Sequence, residues 1–124
     1  MPDPREQFLE DVRAYTLAGD RLVSGVIEFN AMNTRAVEDI EQGMSLTESF
    51  ERRDSAAWSR RVSTLLEEFE ARRRSTRASA ATALKAEGRN VGDVGRAFGV
   101  SHQLASRFSR VARAEAAEGL PPAE

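Results

Sequence analysis

The chain contains no cysteine, which excludes disulfides and thiolate metal sites, and its single histidine, His102, excludes a histidine-rich metal centre. No apolar run approaches the ~20 residues needed to cross a bilayer. Alternating β-branched or aromatic residues do not persist beyond a few positions, so strands are not expected. There is no glycine-rich phosphate loop, nucleophile elbow or metal-ligand spacing, so an enzyme is not expected, nor a metal or cofactor. The opening residues, MPDPREQ, lack a basic then apolar leader, which predicts a cytoplasmic location.

What the chain does have is charge and amphipathic periodicity. Its 124 residues are 40% hydrophobic and 31% charged, enough for one domain or two small modules built from helices with solvated faces. The formal net charge of −2 hides an asymmetry. Residues 1–71 carry 8 Arg against 15 acids, net −7, whereas residues 72–113 carry 10 Arg or Lys against Glu87 and Asp93, net +8. The last eleven residues add three glutamates.

From about residue 5 to 42, Phe8, Val12, Tyr15, Leu22, Val26, Phe29, Ala36 and Ile40 recur at spacings of four and three. Leu9, Val23, Ile27 and Val37 widen the stripe on one side. Gly19 falls on the stripe, and one helix running through it is favoured over a break capped by Asp20. Asn30 and Asn33 lie at the stripe's edge, where amides often fix register. Gly43 suits a turn, and Ser45 with Glu48 forms a capping box for a second helix through Leu46, Phe50, Trp58, Val62, Leu65, Leu66 and Phe69. That helix has a candidate break at Asp54-Ser55. Trp58 and Phe69 read as core. Two long helices joined by a short turn form an antiparallel hairpin. Such a wide apolar face points to a homodimer, with Phe8, Val12, Tyr15, Leu22, Val26 and Ile40 in the seam.

Arg72, Arg73 and Arg74 mark the change of composition. Beyond them the long helix either runs on or restarts at Ser75 or Thr76. Three helices follow, near 77–87, 91–98 and 102–114. Asn90 and Asp93 read as a capping box, ahead of Val91, Val94, Ala97 and Phe98 at helical spacing. Gly99 suits the positive φ of a chain leaving a helix, and Ser101 caps the next one. In that helix Leu104, Ala105, Phe108, Val111 and Ala112 face inward, with His102, Gln103, Ser106, Arg107 and Arg110 outward. Gly95, four before Gly99, provides the small residue that two steeply crossing helices need. This is the pattern of a helix-turn-helix.

The stretch resembles the DNA-binding helix-turn-helix of bacterial repressors, resolvase-type DNA-binding domains and the promoter-reading end of sigma factors. The resemblance rests on Gly95, Gly99, Val100, Ala105 and Phe108, and covers about 40 residues, 76–113. Ala105 stands where a larger Val or Ile is usual. The periodicity predicts an all-α chain with a dimerising helical hairpin over 1–74 and a flexible tail over 116–124, and the resemblance implies a tri-helical DNA-binding module over 75–115.

In such a module the outward residues at the start of the second helix meet base edges, here His102, Gln103, Ser106 and Arg107. Arg77, Arg89, Asn90, Ser101 and Arg110 are placed for the DNA backbone. His102 has no acid partner nearby in sequence, which favours a surface or DNA role over catalysis. The expected function is a small dimeric, sequence-specific transcriptional regulator bound to double-stranded DNA in the nucleoid. An architectural or partition-type DNA-binding protein is the alternative. A protein-protein adaptor working through the acidic N-terminal helices is a third reading.

Overall fold

The computed structural model describes residues 3–118, with side chains as far as Val111. The described residues form five helices and no strand: α1 (Pro4–Glu41), α2 (Leu46–Arg53), α3 (Ser55–Ala86), α4 (Val91–Phe98) and α5 (His102–Glu118). No helix among them is long and apolar enough to cross a membrane. Gly19 does not interrupt α1, and α3 runs through the arginine-rich stretch without restarting at Ser75 or Thr76. Helix α5 also continues through residues 116–118, which the sequence assigns to a tail; residues 119–124 lie outside the described part.

Local hydrogen bonding explains where the helices stop. After α1, the amide of Gly43 donates to the Ile40 carbonyl (3.0 Å) and that of Met44 to Asp39 (3.0 Å). The same pair of bonds closes α3 at Gly88-Arg89 and α4 at Gly99-Val100, satisfying carbonyls that a helix end leaves without partners. The break between α2 and α3 is different. Asp54 sits in the left-handed region (φ 51°, ψ 53°), the only non-glycine residue with positive φ among those described. Its backbone caps α2, and its carboxylate accepts from the Ala57 amide (3.4 Å) at the start of α3.

The chain divides into two compact units, Leu17–Phe69 and a second that joins Met1–Thr16 to Glu70–Glu124. In the first, contacts between α1 and α3 step in opposite directions along the two helices. A Cβ on Gly19 would touch the Phe69 ring, Gly25 lies against Leu65, and Arg61 bonds Glu28 (3.2 Å). The helices are therefore antiparallel. Helix α2 turns Ser49 and Arg53 inward. The Arg53 guanidinium donates to the Met32 carbonyl (3.4 Å) and pairs with Asp39. Periodicity groups Leu46 and Phe50 with the buried face of the second helix, but both are exposed. Polar anchoring of so short a helix displaces the apolar pair.

In the second unit, the antiparallel course places the start of α1 beside the end of α3. Thr76 Oγ1 donates to the Asp11 carbonyl (3.3 Å), and Gln7 Nε2 donates to the Asp11 carboxylate (3.1 Å). The core of this unit is Ala81, Val94, Ala105 and Phe108, with Leu84, Val91, Phe98, Val100 and Leu104 packed against it. Phe98 and Phe108 meet edge to face, with ring centroids 5.6 Å apart. Phe8, Val12 and Tyr15 belong to this unit and are half-buried, although the sequence assigns them to a dimer seam within residues 1–74.

Candidate nucleic-acid interface

The second unit gathers most of the basic charge, and its α4–α5 pair is held by contacts that leave one face of α5 open. Asn90 caps α4 by accepting from the Asp93 amide (2.9 Å), while its own amide donates to the Asp93 carboxylate (3.0 Å). Gly99 then turns the chain with φ 66°, and the Ser101 hydroxyl accepts from the Leu104 amide (3.2 Å) to start α5. A Cβ on Gly95 would lie 3.1 Å from the Val100 carbonyl oxygen and 3.6 Å from the Ala105 Cβ, so the helices cross at this small residue.

Alanine at position 105 is fully buried in that crossing, in the same core cluster as Phe108, with Leu104 packed against it. The ring of Phe108 also receives the Arg77 guanidinium, 5.2 Å from its centroid. Arg77, half-buried, is thereby held beside α5. Ser109, unassigned by the sequence reading, is buried and donates to the Ala105 carbonyl (3.2 Å). Two positions differ from expectation: Val111 is exposed instead of inward, and Ala97 on α4 is exposed as well. Ala97 lies in the last turn of α4, and Val111 lies in the middle of α5, three residues past the buried Phe108. Ala112 falls beyond the described side chains.

The structure brings His102, Gln103, Ser106, Arg107 and Arg110 together on one open surface. All five belong to α5, so this is an exposed helix face and not a cleft between elements. His102, Gln103, Arg107 and Arg110 are exposed, and Ser106 is half-buried. The first turn of α5 carries no acidic residue, which leaves its partial positive charge unopposed. Ser101 uses its oxygen to cap the helix and keeps its hydroxyl proton for another acceptor.

The N-terminus of α4 is already occupied. Asp93 is held there by the Asn90 amide and by Arg96, and these bonds lower its pKa below the usual aspartate value. A phosphate approaching Asn90 would meet that carboxylate. Arg89, just before the cap, is exposed. Of the residues expected near a DNA backbone, the structure thus places Ser101, Arg110 and Arg77 on or against α5, and Arg89 and Asn90 at the entrance to α4. Sequence reasoning missed Arg96, which lies on the exposed side of α4, because its pairing with Asp93 depends on side-chain rotamers. No protein-family model matches the chain, and no similarity to a curated protein or to a solved structure is found.

Proposed function

We propose that the chain is a sequence-specific double-stranded DNA-binding protein in which α4 and α5 act as a helix-turn-helix and α5 enters the major groove. The single observation that carries this reading is the exposed face of α5. It holds Gln103 and Arg107 one turn apart, flanked by His102 and Ser106, on a helix whose first turn bears no acid. Glutamine matches the N6 and N7 edge of adenine, and arginine the O6 and N7 edge of guanine. Arg77, Arg89, Ser101 and Arg110 supply phosphate contacts, which set position but carry no sequence information. A small transcriptional regulator of the nucleoid is the role that fits such a chain best.

The test is a titration of the full chain with fluorescent genomic fragments and with scrambled duplexes. The three arginines among these contacts predict an affinity loss of about 40-fold between 50 and 200 mM salt. Binding that ignores salt, or that never exceeds its affinity for scrambled DNA, would sink sequence-specific recognition. A footprint confined to one short site fits a regulator, whereas protection spreading along the duplex would assign an architectural coat instead.

A further inference from the structure

Helix α1 carries two adjacent apolar seams within the Leu17–Phe69 unit, and α3 covers one of them. The covered seam contains Leu22 and Phe29 and faces Trp58, Val62, Leu65 and Phe69 on α3, all half-buried. One position before each seam lie the charges that close one side of the hairpin. Arg21 bonds Glu68 (3.1 Å) and Glu28 bonds Arg61 (3.2 Å) across the two helices. In an antiparallel pair, positions one before the seam share a side, so positions one after it share the opposite side.

That opposite side is a second seam. On α1 it consists of Val23, Ile27, Asn30, Thr34 and Val37, spaced four, three, four and three. On α3 it consists of Ser59, Ser63 and Leu66, spaced four and three. None of these eight side chains is charged, in a chain that is 31% charged. The apolar members are open: Val23 is 59% exposed, Ile27 63%, Val37 54% and Leu66 47%. A helix with two heptad-spaced seams is built to contact neighbours on both; within this unit α3 covers the first seam, α2 meets α1 at Met32 and Asp39, and the second seam stays open.

We infer that this second seam is the contact with a second copy of the chain, making a four-helix core across a twofold axis. The absence of charge makes the seam compatible with itself, which favours a second copy as the occupant. In a twofold contact residue i meets j as j meets i, and side chains on the axis itself meet their own duplicates, so a charge at the centre would meet its like. The seam carries none, while the ion-paired side could not meet itself without such encounters. Asn30 at the centre can hydrogen-bond its own copy, because an amide both donates and accepts, and the hydroxyls of Thr34, Ser59 and Ser63 can pair without charge as well. The inference needs no DNA and stands apart from the proposed reading face.

The experiment is sedimentation equilibrium of the full chain without DNA. Wild type should show twice its 13.7 kDa mass at micromolar concentration. Ile27→Glu should raise the dimer dissociation constant at least 100-fold with its helical circular dichroism unchanged, since the side chain is exposed in the single chain. Leu17→Glu, at an aliphatic residue 50% exposed on the ion-paired side, should stay dimeric. Independently, single Ile27→Cys, Asn30→Cys or Thr34→Cys replacements in this cysteine-free chain should yield an oxidised cross-linked dimer for at least one, and Leu17→Cys should not. A monomeric wild type, a dimeric Ile27→Glu or a cross-link only at Leu17→Cys overturns the inference. Dimerisation with no DNA binding would leave it standing and remove the proposed function instead.

Discussion

Gly95 faces Ala105 across the α4–α5 crossing, and a Cβ added at Gly95 would stand 3.6 Å from the Ala105 methyl and 3.1 Å from the Val100 carbonyl oxygen. The backbone oxygen cannot swing aside as a side chain would. Gly95→Val should therefore push α4 away from α5, costing about 1–3 kcal/mol by overpacking. Denaturant unfolding of the variant would measure it. A loss no larger than that of a surface valine substitution would show that the crossing is looser than described.

Asp54 serves two helices at once, with its backbone in the left-handed region and its carboxylate on the Ala57 amide. Asp54→Asn keeps a capping oxygen and a residue type that tolerates that conformation, so its stability should remain close to wild type. Asp54→Ala loses the cap and should cost about 1–2 kcal/mol. Thermal melts of the two variants side by side decide this, and equal midpoints would argue against the double role.

Asp11 is only 4% exposed. Burial raises its pKa above the ordinary 3.8, and hydrogen bonding from Ser79 and Gln7 pulls it back only in part. A raised folded-state pKa means that the native state holds the proton more tightly than the unfolded chain. The associated stability is complete below pH 3.8 and is lost as pH rises through the folded-state pKa. Asp11→Asn has no such dependence. Its melting temperature relative to wild type should climb from acid pH towards neutrality and then level off. A trend in the opposite direction would mean that the carboxylate is stabilised as the anion.

Reading and holding can be separated on DNA. Gln103→Ala or Arg107→Ala should weaken specific binding by roughly 1–3 kcal/mol while leaving scrambled duplexes nearly unaffected. Arg89→Ala should weaken both by similar factors and reduce the salt slope by about one unit. Competition titrations measure all three, and identical behaviour would remove the distinction between base-facing and phosphate-facing residues.

The features legible in the sequence are those set within four or five residues. The Asn90–Asp93 capping box, the Ser45 and Ser101 caps and the turns at Gly43 and Gly99 depend on short-range hydrogen bonds and on φ preferences carried by single residue types. The outward face of α5 was legible for the same reason, since 3.6-residue periodicity puts Gln103, Arg107 and Arg110 on one side whatever the helix packs against.

Tertiary structure decided which of several apolar surfaces found a partner. Periodicity marks both seams of α1, but only the antiparallel register with α3 determines that Leu22 is half-covered and Ile27 is open. It also joins the first turns of α1 to the basic unit through Asp11 and Thr76, 65 positions apart in the chain. Helix α2 buries Ser49, half-buries Arg53 and exposes Phe50, an arrangement set by the distant Met32 carbonyl and Asp39 carboxylate. A pattern of hydrophobicity encodes a face, and what covers that face depends on contacts between residues far apart in sequence.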